Sequence, residues 1–295
     1  MRRWVGILLF LALPAAAQQE VAAGVRLIRG AFVPGQQPDG NSVILDAPDG
    51  LIVFDTGRHV AHTRKILDLA GARKIAAVLN SHWHLDHIGG NVLIRQEQPN
   101  TKIYASGALA DARKGFLANY RKQLEEMGAD RFRAEIDLID AGDRLAPDVV
   151  IGKSGMMTIA GRELQVGLET YAVTAGDVWV FDPRSGVLFA GDLVTLPAPF
   201  LDTACPARWN ETLDRLAKTN FELLIPGHGA PLTPRQFAQY RKAFANLLAC
   251  KEKCADGWIR DVGSLIAPSE MDFTKQVMGY YVDVLRRGPG ELCGG

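Results

Sequence analysis

The stretch that decides the reading of this chain is Ser81-His82-Trp83-His84-Leu85-Asp86-His87-Ile88-Gly89-Gly90-Asn91. Four potential metal ligands, His82, His84, Asp86 and His87, fall within six residues, and the chain has only 6 histidines in all. Imidazole nitrogen and carboxylate oxygen are what zinc takes where thiolate is absent. Ligands this dense cannot all share one face of a regular helix or strand. The segment therefore reads as a loop that folds around a metal.

The neighbourhood places that loop. Upstream, Ile75-Ala76-Ala77-Val78-Leu79-Asn80 is a short apolar run rich in strand formers, and downstream Val92 to Glu97 suits a helix. Strand, metal loop and helix make a unit of an α/β protein, with the site at the carboxyl end of a strand, where open α/β sheets place ligands.

The segment resembles the HxHxDH loop of the metallo-β-lactamase-fold hydrolases, and three further pieces match in order. Leu51-Ile52-Val53-Phe54-Asp55-Thr56-Gly57 resembles the early strand ending in DTG. Leu188-Phe189-Ala190-Gly191-Asp192 resembles the FxGD segment, and Leu224-Ile225-Pro226-Gly227-His228-Gly229 the PGHG segment. The match covers about residues 25 to 232. The resemblance implies an α/β fold, a four-layer αββα sandwich of the metallo-β-lactamase type. It implies that His82 and His84 bind a first metal, that Asp86, His87 and His228 bind a second, and that Asp192 bridges. The implied cofactor is zinc, one or two per chain, with Asp86 orienting the attacking water and accepting its proton. Asp55 takes a structural part, holding the metal loop by hydrogen bonds.

One position departs from the pattern. The family usually has His-Thr-x-Gly-Asp before the FxGD strand, and that His is the third ligand of the first site. Here the segment reads Val173-Thr174-Ala175-Gly176-Asp177, and valine cannot bind metal. A tight second site and a weak or empty first one are expected. Candidate replacement ligands are Tyr171, a poor zinc ligand that in an extended chain shares a face with Val173 about 6.6 Å away, and His59 or His62 just after the DTG turn, for which a surface role at the helix start is the alternative.

Strands are expected at Val25 to Val33, Ser42 to Leu45, Leu51 to Asp55 and Thr101 to Tyr104. Pro48-Asp49-Gly50 makes a hairpin turn between the second and third of these. A second set runs Val149 to Ile151, Met156 to Ile159, Glu163 to Leu168, Val178 to Phe181, Val187 to Ala190 and Phe221 to Ile225. Helices are expected at Ala61 to Leu69, Asn210 to Lys218 and, as one longer stretch, Ala105 to Met127. The last either lines the substrate entrance or covers the outside. From Pro234 to Arg287 aromatic and aliphatic residues recur at helical spacing, as core-facing helices do.

At 295 residues, with 47% hydrophobic and 22% charged residues, the chain can bury a large globular core. Arg2 and Arg3, the apolar run Trp4 to Leu13, Pro14 and Ala15-Ala16-Ala17 resemble a secretory leader cut after Ala17. The expected division is a signal peptide at 1–17, a metallo-β-lactamase-like domain at 18–232 and a helical extension at 233–295 packed on it. A periplasmic or secreted location follows. Cleavage leaves 31 Lys plus Arg against 33 Asp plus Glu (two of the 33 basic residues go with the leader), with no basic stripe for nucleic acid and no polybasic anchor for lipid. The expected partner is a small-molecule substrate, with no stable membrane anchor after cleavage.

Export makes disulfides plausible among Cys205, Cys250, Cys254 and Cys293. Four cysteines allow three connectivities. Cys250 and Cys254, spaced i, i+4 in an expected helix, favour links outward to Cys205 and Cys293. A Cys-x3-Cys zinc site is the sharper alternative. No Gly-x-Ser-x-Gly is present to supply a serine nucleophile. The leading expectation is an exported zinc hydrolase of a small ester, thioester, lactone or lactam. The alternative is a degenerate member that binds metal or ligand without turnover, which Val173 favours. A diiron oxidoreductase is disfavoured because no flavin module follows.

Overall fold

The computed structural model describes residues 18–32, 36–287 and 293. The leader expected at residues 1–17 lies outside them. The first sheet opens with β1 (Gln18–Ala22), β2 (Val25–Ile28), β3 (Ser42–Ala47) and β4 (Gly50–Phe54). Helix α1 (Val60–Ala70), β5 (Ile75–Leu79), the single turn α2 (Leu85–Ile88), α3 (Asn91–Glu97) and β6 (Lys102–Ala105) follow. Three helices, α4 (Leu109–Lys114), α5 (Phe116–Gly128) and α6 (Arg133–Asp140), precede β7 (Val149–Val150). The second sheet holds β8 (Gly155–Ile159), β9 (Arg162–Glu169), β10 (Asp177–Asp182), β11 (Val187–Thr195) and, after helix α7 (Pro206–Leu216), β12 (Leu223–His228). Helices α8 (Pro234–Ala249), α9 (Cys254–Val262) and α10 (Met271–Arg286) complete the chain.

Strands β1 to β7 lie side by side in sequence order, antiparallel as far as β4 and parallel from there. The other sheet runs β12-β11-β10-β9-β8, with only β11 and β12 parallel. Alternate residues on each strand go to opposite faces. Val43, Leu45, Ile52, Phe54 and Leu79 meet Val166, Val178, Val180, Phe189 and Ile225 between the sheets. The residues between them, Ile44, Leu51, Val53 and Val78, pack outward on Ile66 of α1 and Ile94 of α3. On the second sheet Trp179, Leu188 and Leu224 turn outward to Trp209, Tyr240 and Phe244 of the outer helices. Both faces of the central strands are covered, which is why they read as near-continuous apolar runs, while the edge strands β7 and β8 stay largely exposed. The architecture is the four-layer αββα sandwich that the resemblance implies.

Several boundaries differ from expectation. Strand β2 stops at Ile28, not Val33, because its partner β3 begins at Ser42, the residue opposite Ile28. The expected helix from Ala105 to Met127 is two helices: Ala105 ends β6, and Gly115 separates α4 from α5. These helices and α6 form their own cluster around Leu117, Leu124 and Ile136, packed on Trp83, Leu85 and Ile88 of the metal loop.

The cysteine pairing also needs correction. The bonds are Cys205–Cys293 and Cys250–Cys254. Cys250 and Cys254 do not share a helix: α8 ends at Ala249, Lys253 takes a left-handed conformation, and α9 starts at Cys254. The reversal brings the two Cα atoms to 5.6 Å, the usual span of a disulfide. With no cysteine left free, the Cys-x3-Cys zinc alternative falls too. No described helix is long and apolar enough to cross a membrane.

Candidate metal centre

The structure brings all six candidate ligands together. His82 and His84 lie on the loop after β5, Asp86 and His87 in α2, Asp192 in β11, and His228 at the end of β12. The segment is not loop throughout, since one helical turn carries Asp86 and His87. Two groups of donor atoms converge within 4.8 Å, His82–His87–Asp192 and Asp86–His87–His228. His84 joins the first through its Nδ1, 2.8 Å from His82 Nε2. Close approach at the sheet ends depends on glycine: a Cβ at Gly227 would collide with Asp192 Oδ1.

The hydrogen bonds decide which ring nitrogens are free. Asp55 accepts from Ser81 N–H at 2.7 Å and from Ser81 O–H at 2.7 Å. Having donated its proton, Ser81 Oγ accepts from His82 Nδ1–H at 2.9 Å. His87 Nδ1–H donates to Asp55 Oδ2 at 2.8 Å. Thr203 O–H donates to the Val173 carbonyl at 2.9 Å and so accepts from His84 Nε2–H at 3.0 Å. This network assigns lone pairs to His82 Nε2, His84 Nδ1 and His87 Nε2. The expected structural part for Asp55 is therefore visible as a clamp on two histidines.

These lone pairs fit a metal. Those of His82 and His84 face each other at 2.8 Å. His87 Nε2 and Asp192 Oδ1, both buried and 3.3 Å apart, have no hydrogen-bond partner. Buried polar atoms without partners are costly, and a cation held between such donors removes the cost. Electrostatics point the same way. Burial opposes charge on His87, yet Asp192, Asp55 and Asp86 around it draw its pKa well above the ordinary histidine value. Three carboxylates thus call for a positive charge there, from a proton or a metal ion. Burial keeps His84 neutral, with a pKa of about 4, and pushes His82 well down also. Burial likewise opposes ionised Asp86, but His87, His228 and Arg58 hold it well below the carboxylate range.

Three positioning residues escaped the sequence reading. Arg58, next after the DTG turn, reaches Asp86 Oδ1 at 3.4 Å and is paired with Glu135 of α6. That leaves Asp86 Oδ2 turned to His228 Nε2, 3.0 Å away. Asn41 holds the His228 turn, donating to the carbonyls of Pro226 at 2.9 Å and Gly229 at 3.0 Å. Thr203 steadies His84. No local motif marks any of them.

The replacement ligands do not reach the site. Tyr171 has φ of +59°, so residues 169–173 are not extended, and its ring packs near the Arg208 guanidinium at 5.4 Å. His59 Nδ1 bonds Asp39 at 3.0 Å, and His62 Nε2 lies 2.8 Å from Ser42 Oγ. Val173 is fully buried in the apolar cluster of the second sheet.

A family model described as the metallo-beta-lactamase superfamily matches residues 36–228. A metallo-beta-lactamase from Pontibacter korlensis has the same fold, with a TM-score of 0.60 and 19% identity over 78% of this chain and 98% of that one. The sec-alkylsulfatase Pisa1 from a Pseudomonas species also gives 0.60, with 21% identity over 86% of this chain and 46% of its own. A linear primary-alkylsulfatase of a Pseudomonas species is 28% identical over 231 residues. That is 65% of this chain and 42% of the alkylsulfatase, so the chain spans less than half the length of that relative.

Proposed function

The chain belongs to the metallo-beta-lactamase superfamily, and from that premise we propose that it is an exported, zinc-dependent hydrolase of a small ester, thioester, lactone or lactam. The observation that carries the reading is the set of buried ring nitrogens, with His82 Nε2 and His84 Nδ1 facing each other and His87 Nε2 facing Asp192. His82, His84 and Asp192 would hold one zinc; Asp86, His87, His228 and Asp192 the other. Bound zinc supplies a water of near-neutral pKa and polarises the carbonyl under attack.

The chain's own groups do the rest. Arg58 fixes one oxygen of Asp86, so the other is presented to the site at a set angle. A carboxylate held this way orients the attacking water and takes its proton. Asp55 and Thr203 keep His82, His84 and His87 in their ligating tautomers. Trp83 and Phe200 pack on His84, with ring centroids 4.6 and 5.0 Å away, and exclude bulk water from that side. A sulfate ester joins the substrate range because of the likeness to the linear primary-alkylsulfatase. Binding of metal or ligand without turnover is the second reading, and Val173 in the usual histidine position favours it. The leader-like start supports a periplasmic or secreted location, with a small molecule rather than nucleic acid or membrane as partner.

Metal analysis of the purified protein, run beside thioesters, lactones, β-lactams and alkyl sulfates, tests the proposal. At least one zinc per chain and metal-dependent turnover of one class are expected. Protein that takes up zinc but turns over nothing across the panel would favour the second reading. Protein that takes up no zinc would overturn the zinc-hydrolase reading.

A further inference from the structure

Resting on the hydrolase reading, we propose that the non-reacting part of the substrate is an uncharged, apolar alkyl or aryl group, seated against two aromatic walls beside the metal centre. A cavity of about 390 Å³ opens onto His84, Asp86, Asp192 and His228, within the usual range for small-molecule sites. One wall is Trp83, Phe116 and Tyr120, with successive ring centroids 5.3 and 6.3 Å apart. Trp83 comes from the metal loop and the other two from α5. The second wall is Phe200 and Tyr281, 5.9 Å apart, from the segment after β11 and from α10. Phe116 is 38% exposed. An aromatic ring left open beside a polar centre is apolar surface that a ligand can cover.

The charges around the cavity select against an anionic group at the far end of the substrate. Among the described residues, Arg58 is the only Lys or Arg lining it. Its charge is already taken by Glu135 and Asp86. Asp202 also lines the cavity and accepts a hydrogen bond from Tyr280 at 2.6 Å. A carboxylate remote from the reacting bond would meet that acid and, among the described lining residues, no unpaired Lys or Arg, and would lose its hydration with little compensation. An alkyl or aryl group loses nothing there and gains burial. The reacting head, sulfate or carboxylic ester, belongs to the metal centre; the apolar seat is common to both.

The test uses the metal-loaded full chain and the neutral fluorophore N-phenyl-1-naphthylamine, displaced by n-alkanols from butanol to decanol. Emission should rise on binding, and each added methylene should tighten displacement about fourfold until the cavity is filled. Moving a polar group to the far end, with symmetric α,ω-alkanediols of equal length, should weaken displacement about tenfold. Phe116→Ala should weaken fluorophore binding by about tenfold and flatten the chain-length series. Phe116 is partly exposed, so that variant keeps the fold, and Tyr281→Ala is the companion. Absence of fluorophore binding, a flat alkanol series, or α,ω-diols that bind as well as alkanols would overturn the proposal. Hydrolysis of n-alkyl sulfates against p-nitrophenyl alkanoates then separates the two heads. Turnover of neither, and of none of the thioesters, lactones and β-lactams, with chain-length-dependent binding intact, would overturn the hydrolase reading while supporting the apolar seat.

Discussion

Thr203→Val is the most direct probe of how the site is built. Valine keeps the shape of threonine and removes one hydroxyl. That hydroxyl lies 3.0 Å from His84 Nε2 and 2.9 Å from the Val173 carbonyl oxygen, and Thr203 itself is 4% exposed. Without it, His84 Nε2–H and the carbonyl are left buried and unpaired, at about 1–3 kcal/mol for each unsatisfied group. The total stability of such a domain is about 5–15 kcal/mol, so a fall in melting temperature of the metal-free protein should be plain. The metal pays separately. His84 would no longer be fixed with its proton on Nε2, and loss of such an outer partner lowers metal affinity about 10–100-fold. Competition between the protein and a chromophoric chelator for zinc measures that change. Thr203→Ser keeps the hydroxyl and should restore most of the affinity. Thr203→Val protein that holds zinc within twofold of the parent would refute the tautomer argument, whatever its melting temperature.

Other outcomes follow from the same geometry. Arg58→Ala strips a buried partner from Asp86 and Glu135 and should cost about 3–5 kcal/mol in denaturant unfolding; adding Glu135→Ala should recover part of it, and strict additivity would count against the pairing. Thiol titration of denatured, non-reduced protein should find no free cysteine, and two free thiols would break one of the assigned disulfides. His228→Ala should lose the tightly held zinc, and Val173→His should raise stoichiometry towards two per chain. Two tightly held zincs in the unmodified protein would end the idea of a depleted first site. Protein from its native host should begin at or near Gln18, and retention of Met1 on amino-terminal sequencing would rule out cleavage.

Much of the sandwich was legible because its central strands are buried on both faces. Runs such as Ile75 to Leu79 and Val187 to Ala190 carry that burial in their composition. Four of the six candidate ligands were legible for a different reason: a hexapeptide with three histidines and an aspartate has few uses other than metal; Asp192 and His228 were legible only through the resemblance of their segments. The elements misread were those whose boundaries tertiary contacts set. Nothing between Cys250 and Cys254 announces a helix break, since neither glycine nor proline stands there, and the left-handed residue is Lys253. The division of α4 from α5 had a signal in Gly115, but the surrounding helix formers outweighed it.

The positioning residues were illegible because each works across a long sequence separation. Arg58 meets Glu135 from 77 residues away, and Thr203 meets His84 from 119. Val173 shows what that separation hides. The sequence alone suggests that a valine in place of histidine leaves the first metal site weak or empty. In the structure the main-chain carbonyl of residue 173, not its side chain, anchors Thr203, and Thr203 anchors His84. A main-chain atom is indifferent to the substitution. The site has lost one ligand but not the aim of the ring beside it, and His82, His84 and Asp192 still supply the three donors that a catalytic zinc requires. A first site weakened rather than abolished is the consequence, and it is why Val173→His should strengthen binding at an existing site instead of creating one.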